Sequence, residues 1–251
     1  MQIYLAVSPQ ERERKINCGG KLADAAYRIG SSSTLLREAS LSALGNGLPM
    51  ISDRNAPAIP DAEKLAQAVL RECRRRKSTG AVLDFESAPT TNRLQFVEVC
   101  ARLLSYWHFA LYVPEAYAVP GSIPLINTAI SGGNFTEYLQ GSLRRYGNAA
   151  LDVQRLCMDF SLPAPSGEGT PIRREQLSAI LQQTRPQIFF SQDLCAKYFT
   201  DTRNGQTHFL LYDDGDTLRK KLQIGNSLGF YAAFLMYPEI SDLPEFFWKE
   251  L

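Results

Sequence analysis

Histidine is scarce in this sequence, which limits the catalysis that the chain can support. Its 251 residues include two histidines, His108 and His208, and each flanks an apolar, strand-like run. A Ser-His-Asp or Cys-His hydrolase needs one of them as its general base, yet no GxSxG elbow is present. The chain also has no HExxH, GxGxxG or P-loop pattern. These absences favour carboxylate chemistry, with no metal or organic cofactor expected.

Three further absences narrow the class of protein. The five cysteines form no CxxC pair and are odd in number, which predicts neither a disulfide framework nor a zinc finger. No apolar run is long enough to span a bilayer, and no secretory signal is evident at the start. We therefore expect a cytoplasmic protein with no membrane partner.

The net charge of +1 argues against a nucleic-acid partner recognised through general basicity. One basic cluster does exist, formed by Arg71 and residues 74–77. It closes a predicted helix, where cations favour the helix dipole. A solvated helix end is the preferred interpretation, and a phosphate-binding patch is the alternative.

The most informative stretch is residues 80–86, Gly-Ala-Val-Leu-Asp-Phe-Glu. It has the pattern of a short buried strand that ends in two carboxylates. Because side chains on a strand alternate between faces, Val82, Asp84 and Glu86 point the same way. Two acids at the carboxyl end of an apolar strand are a common acid–base arrangement. The alternative is an Asp in a turn and a Glu that begins the next helix.

Predicted strands and helices alternate along the chain. Strands are expected at residues 2–8, 24–29, 48–52, 80–86, 108–113, 153–160, 187–190 and 230–237. Helices are expected at residues 33–43, 61–77, 91–105, 134–146, 172–183 and 216–228.

This alternation predicts an α/β protein with a single (β/α)8 TIM barrel domain over residues 1–251. An open doubly wound sheet is the alternative. The dipeptide Asn204-Gly205 between two strand-like runs predicts a small β-hairpin inserted at residues 197–213, in the C-terminal part.

The chain resembles the family 18 glycoside hydrolases, the chitinase-like barrels. That family carries Asp-x-x-Asp-x-Asp-x-Glu on strand four, and residues 79–86 keep its last Asp and its Glu. Thr79 and Val82 occupy the first two Asp positions. The Asp-Phe-Glu ending is most similar to the spore-wall-lytic branch of the family.

Weaker matches follow in the family's order. Residues 158–161, Met-Asp-Phe-Ser, resemble its Met-x-Tyr-Asp, with Phe160 in place of the Tyr. Residues 212–214, Tyr-Asp-Asp, resemble its C-terminal segment, which continues through a helix and a Gly into the last strand.

The resemblance implies a retaining hydrolase of β-linked N-acetylglucosamine glycans such as peptidoglycan or chitin fragments. In that family the substrate's own N-acetyl group attacks the anomeric carbon. Glu86 would be the general acid, and Asp84 would orient the acetamido group. The partner expected is a glycan or oligosaccharide, and an association with a spore or cell envelope is the alternative to a cytoplasmic location.

Other polar side chains fall near the ends of predicted strands, where barrel active sites gather. These candidate substrate-binding residues are Asp53, Tyr112, Glu115, Asp159 and Tyr237.

Two alternatives remain open at this point. Val82 and Phe160 remove groups that the family uses, which favours a catalytically impaired barrel that binds a glycan or a protein. The other alternative is an unrelated barrel that holds a divalent metal through Asp53, Asp84 and Glu86. The oligomeric state is left undetermined.

Overall fold

The computed structural model describes residues 1–13, 21–40, 44–164 and 167–243 of the chain. Its strands are β1 (Gln2–Val7), β2 (Lys21–Gly30), β3 (Thr34–Arg37), β4 (Leu48–Ser52), β5 (Gly80–Asp84), β6 (Ala110–Pro114), β7 (Ile123–Asn127), β8 (Ala150–Val153), β9 (Cys157–Ser161), β10 (Thr170–Pro171), β11 (Phe189–Ser191), β12 (Ala196–Arg203), β13 (Gln206–Tyr212) and β14 (Ala232–Met236). Its helices are α1 (Pro9–Glu13), α2 (Ala62–Arg76), α3 (Thr91–Tyr106), α4 (Phe135–Tyr146), α5 (Arg174–Thr184), α6 (Gly215–Leu228) and α7 (Tyr237–Ile240).

Eight parallel strands close into a barrel, as the sequence predicts. Their order around the barrel is β1, β2, β4, β5, β6, β7, β8 and β14, and β14 pairs again with β1. The strand β3 adds to β2 on the outside in antiparallel orientation. None of the helices in the described part of the chain combines the length and apolarity needed to cross a lipid bilayer.

The alternation of side chains along β5 divides the core into an inner and an outer layer. Ala81 and Leu83 point outward and pack with residues of α2 and α3. Val82 points inward and packs with the large rings of Tyr112 and Phe234, which fill the barrel. Asp84 lies two residues after Val82 and therefore points to the same, inner side of the strand. Because β5 ends at Asp84, the carboxylate lies at the mouth of the barrel.

A five-stranded antiparallel sheet lies between β8 and β14 in the chain. Its strand order is β10, β9, β13, β12 and β11. The strands β12 and β13 form a hairpin whose turn residues, Asn204 and Gly205, have φ angles of 52° and 78°. Positive φ at both central residues is what the favoured two-residue hairpin turn requires. The helix α5 packs on this sheet through Leu177.

Three predicted elements differ from the structure, one in its secondary structure and two in the sheet to which they belong. The helix expected over residues 33–43 is replaced at residues 34–37 by β3, and residues 41–43 lie outside the described part. The strand expected over residues 153–160 corresponds to β9 of the second sheet, and it meets the barrel strand β8 only at Val153. The strand expected over residues 187–190 overlaps β11, which also belongs to the second sheet.

The sequence reading also missed a barrel strand, β7. Pro124 is its second residue and has no N–H to donate to a neighbouring strand, which weakens a strand pattern in the sequence. In the structure Pro124 pairs in register with Val113 of β6. The barrel therefore reaches eight strands by a different set of segments than the sequence alone predicted.

Candidate active site

A cavity of about 440 Å³ opens at the carboxyl ends of the barrel strands. Its floor is apolar and includes Val82, Leu125 and Phe234. The polar side chains that line it are Asp84, Glu86, Glu115, Asn127, Asp152 and Gln154. Cavities of this size hold small molecules or a few sugar rings, and TIM-barrel active sites lie at this end of the barrel.

The two predicted catalytic carboxylates both line this cavity. Asp84 is the last residue of β5, and Glu86 follows just beyond the strand with an exposed side chain. Burial, together with the negative charges of Glu86 and Asp152, raises the pKa of Asp84 to about 6. Asp84 can therefore hold a proton close to neutral pH, which Asp does not do in water.

Asp53 supports the site from behind. It is 1% exposed, and its carboxylate accepts a hydrogen bond of 2.9 Å from the backbone N–H of Glu86. The Nε atom of Arg93 lies 3.2 Å from the other carboxylate oxygen. Tyr117 donates its hydroxyl to the carbonyl oxygen of Ser87 at 2.9 Å. These contacts hold the backbone on both sides of Glu86, so Asp53 positions this segment.

Glu115 is the one predicted substrate-binding residue that lines the cavity directly. The strand β6 ends immediately before it, at Pro114, and the residues after it form a short 3-10 helix. Its Oε1 atom accepts a hydrogen bond of 3.1 Å from the hydroxyl of Tyr146 on α4. This bond restrains one carboxylate oxygen and leaves the second for a ligand.

The other three predicted substrate-binding residues lie away from the cavity. Tyr112 is 1% exposed in the barrel interior, where its ring packs edge-on against Phe234. Asp159 lies on β9 in the second sheet, not on a barrel strand, and its contacts are with Arg203 and His208, at 2.6 and 2.8 Å. Tyr237 begins α7 and packs against the outer core.

Asp152 is the main site residue that the sequence reading missed. It lies on β8, in register with Asn127 on one side and Phe234 on the other. Burial raises its pKa to about 6, and a hydrogen bond of 2.7 Å from Gln154 partly counters this rise. The segment 150–153, Ala-Leu-Asp-Val, has the same apolar-then-acid pattern as β5, which is the signal that could have identified it.

A buried ion pair anchors the wall that carries Asp152. Lys221 on α6 is fully buried, and its Nζ atom donates to Asp213 at 2.7 Å and to the carbonyl oxygen of Thr128 at 2.9 Å. The backbone N–H of Thr128 in turn donates to the carbonyl oxygen of Asp152 at 3.0 Å. The hydroxyl of Thr128 reaches the carbonyl of Gln154 at 3.3 Å. Lys221 therefore links α6 to the backbone of the cavity wall.

The described residues bring no three His, Cys, Asp or Glu side chains together as a group that could hold a metal ion. Of the three carboxylates considered for a metal, Asp84 and Glu86 line the cavity, whereas Asp53 is directed to a backbone N–H and to Arg93. The arrangement is therefore suited to proton transfer and hydrogen bonding between carboxyl groups and a bound ligand.

We expect the substitution Asp152→Asn to stabilise the protein at pH 7. Because the pKa of Asp152 rises from 3.8 to about 6 on folding, the folded state binds its proton more tightly than the unfolded chain does. Stability therefore falls as pH rises through this interval, and Asn avoids that loss. We expect a gain of about 2–3 kcal/mol in unfolding free energy at pH 7, disappearing below pH 4. Urea denaturation across this pH range measures it, and a difference independent of pH would contradict it.

No protein-family model and no curated protein matches the sequence. Solved structures do match the fold. The spore cortex-lytic enzyme SleL from Bacillus cereus superposes with a TM-score of 0.67 at 15% identity, over 95% of this chain and 71% of that chain. A chitinase from Chromobacterium violaceum gives 0.68 at 13% identity, over 99% and 96% of the two chains.

A third match is a GH18 chitinase from Cycas revoluta, solved in complex with (GlcNAc)4. Its TM-score is 0.58 at 10% identity, over 93% of this chain and 94% of that chain. At these identities the matches show the fold alone: the chain has the closed α/β barrel of the chitinase-like proteins.

Proposed function

We propose that this chain hydrolyses β-linked glycans that contain N-acetylglucosamine, such as peptidoglycan or chitin fragments. The observation that carries the proposal is the convergence of Asp84, Glu86 and Asp152 on one cavity at the carboxyl end of a chitinase-like barrel. Among the solved structures of this fold, one is named a spore cortex-lytic enzyme and another was solved with (GlcNAc)4. A glycan of a spore or cell envelope is the substrate class that these likenesses favour.

The proposed reaction is substrate-assisted and retains the anomeric configuration. Glu86 donates its proton to the glycosidic oxygen as the bond to the anomeric carbon breaks. The carbonyl oxygen of the substrate's acetamido group forms a new bond to that carbon and closes a cationic ring. Glu86, now ionised, takes a proton from a water molecule that opens the ring, which restores the enzyme and releases the β-anomer.

Asp84 is proposed to act on the acetamido group. As a carboxylate it accepts a hydrogen bond from the acetamido N–H, which turns the carbonyl oxygen toward the anomeric carbon and offsets the positive charge of the ring. The nearby negative charges of Asp152 and Glu86 favour the protonated form of Asp84 in the empty site. When substrate binds, this proton passes from Asp84 to Glu86, so Glu86 carries the proton that it donates and Asp84 is ionised when the cationic ring forms.

This proposal predicts a strict requirement for the N-acetyl group. We expect N-acetylglucosamine oligomers to be cleaved and β-linked glucose oligomers of the same length and linkage to be left intact, because glucose carries no internal nucleophile. Proton NMR of the first products should show the β-anomer before mutarotation. Purified peptidoglycan tests the alternative polymer. Cleavage of both sugar series at similar rates, or an α-anomeric first product, would overturn the mechanism.

A second candidate function is a glycan-binding barrel with little hydrolytic activity. The observation that favours it is Val82, which is buried beneath Asp84 where the resembled motif has a carboxylate. Asp84 then lacks an acidic neighbour below it on its own strand. Saturable binding of N-acetylglucosamine oligomers by a folded protein that cleaves neither these oligomers nor peptidoglycan would establish this second function.

A further inference from the structure

A second cavity of about 460 Å³ lies at the opposite end of the barrel, where β2 and β4 begin and where the chain enters β5. Three cationic side chains line it, those of Arg12, Lys21 and Lys77. The remaining described lining residues are polar or apolar, and none of them is Asp or Glu. This end of the barrel takes no part in the hydrolysis proposed above.

In the described part of the chain, Asp24 is the acid that pairs with a cation of this cavity, and one carboxylate cannot neutralise three cations. Asp24 is 1% exposed just behind Gly47 and is already shared between Arg12 and the buried Arg76. Lys21 donates to the neutral side-chain oxygen of Gln2 at 3.2 Å. Like charges gathered around a partly enclosed space repel each other unless an anion offsets them. The cavity therefore has a net positive field in a chain whose overall charge is only +1.

The shape of the cavity is built into the backbone. A Cβ atom at Gly47 would clash with the Asp24 carboxylate and lie 2.8 Å from the carbonyl oxygen of Leu22. Lys77 ends α2 with a φ of 54°, and its N–H donates to the carbonyl oxygen of Arg74 at 3.1 Å. The lysine side chain therefore starts from a defined helix end rather than from a free loop.

Stacked aromatic rings separate the two cavities. Tyr4 lines the lower cavity and Phe234 lines the candidate active site, and their ring centroids are 4.9 Å apart at an interplanar angle of 10°. The Tyr4 ring, Leu22 and Leu48 add apolar lining to the lower cavity, and the Nζ atom of Lys21 lies 6.0 Å from the centroid of the Tyr4 ring. A ligand that fits must therefore combine an anionic group with an apolar part.

We propose that this lower cavity binds a small organic anion, and that a phosphomonoester is its best match. A phosphate group carries close to two negative charges near neutral pH and offers three acceptor oxygens. Arg12, Lys21 and Lys77 can each supply a charge-assisted hydrogen bond to it. The basic helix end formed by residues 74–77 thus contributes one residue, Lys77, to a binding site, and its other cations remain solvated or paired.

Calorimetric titration of the intact protein with phenyl phosphate at low ionic strength tests the proposal. We expect saturable binding, and about fivefold to tenfold weaker affinity in Lys77→Gln, which loses one charge-assisted contact. The matched control is Arg75→Gln. It removes the same charge from the same helix end, but Arg75 does not line the cavity, so we expect its affinity to stay within about twofold of the native protein.

Titration with benzoate is the second part of the experiment. Benzoate has the same ring as phenyl phosphate but carries one negative charge on two oxygens. We expect it to bind more weakly than phenyl phosphate. Equal affinity for the two ligands would overturn the phosphomonoester assignment. Absence of saturable binding, or equal losses in Lys77→Gln and Arg75→Gln, would overturn the site itself. Both substituted side chains are exposed, so we expect both variants to fold. Circular dichroism melts of the two variants check this.

Discussion

We expect the substitution Glu86→Gln to lower the proposed turnover of N-acetylglucosamine oligomers by about 10²–10⁴-fold, the range that a general acid contributes. Gln has the size of Glu but cannot give up a proton to the leaving oxygen. The backbone N–H of residue 86 still donates to Asp53, and the side chain is exposed, so the fold and the cavity are retained. Oligomer affinity, measured by calorimetry, is expected to change by only a few-fold.

Glu98→Gln is the matched control for this experiment. Glu98 lies exposed on α3, carries the same charge and does not line the cavity, so its removal should leave turnover unchanged. A Glu86→Gln variant that keeps more than about a tenth of native turnover would exclude Glu86 as the general acid. Equal losses in both variants would point to a global effect of charge or folding.

We expect the substitution Lys221→Met to lower the free energy of unfolding by about 3–5 kcal/mol, the cost of leaving one partner of a buried ion pair alone. The side chain of Lys221 is fully buried, and its ammonium group contacts Asp213 and the Thr128 carbonyl oxygen instead of water. Met occupies a similar volume but offers no donor to either oxygen. Asp213 would keep its bonds from Thr217 and the Leu156 backbone, but its charge would lose its only described cationic partner.

Urea denaturation of three further proteins separates the pair from general effects of charge. Lys220→Met removes the neighbouring exposed lysine, and we expect it to cost less than about 1 kcal/mol. Asp213→Leu alone leaves Lys221 unpaired and should be as damaging as Lys221→Met. The double variant, with Lys221→Met and Asp213→Leu together, should recover part of the loss, because no buried charge remains. A loss below about 1 kcal/mol in Lys221→Met would show that the pair is dispensable.

These two predictions address different parts of one site. Glu86 is proposed to act on the ligand, whereas Lys221 acts through Thr128 on the backbone of the wall that carries Asp152. The raised pKa values of Asp84 and Asp152 indicate that the fold tolerates poorly solvated carboxylates at this mouth. Sites that are unfavourable for stability in this way are often retained for function.

Several parts of the fold could be predicted from local patterns. The strand β5, with Asp84 at its end and Glu86 just beyond it, follows from an alternation of period two within seven residues. The helix α2 follows from its apolar positions, from Asp61, whose carboxylate caps the Lys64 N–H at 2.9 Å, and from its basic end. The hairpin strands β12 and β13 follow from Asn204-Gly205. In each case the atoms that decide the structure are close together along the chain.

The pairing of strands that are distant in the sequence could not be predicted in the same way. The short segments around Asp152 and Asp159 look alike in sequence, each an acid among apolar residues. Only the register of β8 with β7 and β14 places Asp152 in the cavity, and only the pairing of β9 with β13 places Asp159 in the second sheet. Tyr112 was expected near substrate because it lies close to a strand end, yet its ring fills the barrel.

The sequence by itself therefore determined the α/β alternation, the barrel class and the carboxylate pair Asp84 and Glu86, because hydrophobic periodicity is a property of neighbouring residues. The tertiary structure alone decided which eight strands form the barrel, which acids meet in the cavity, and that Lys77 faces a second cavity at the other end. The physical reason is that strand pairing and burial depend on hydrogen bonds and packing between segments far apart in the chain. The local periodicity of a segment does not indicate which distant segment it will contact.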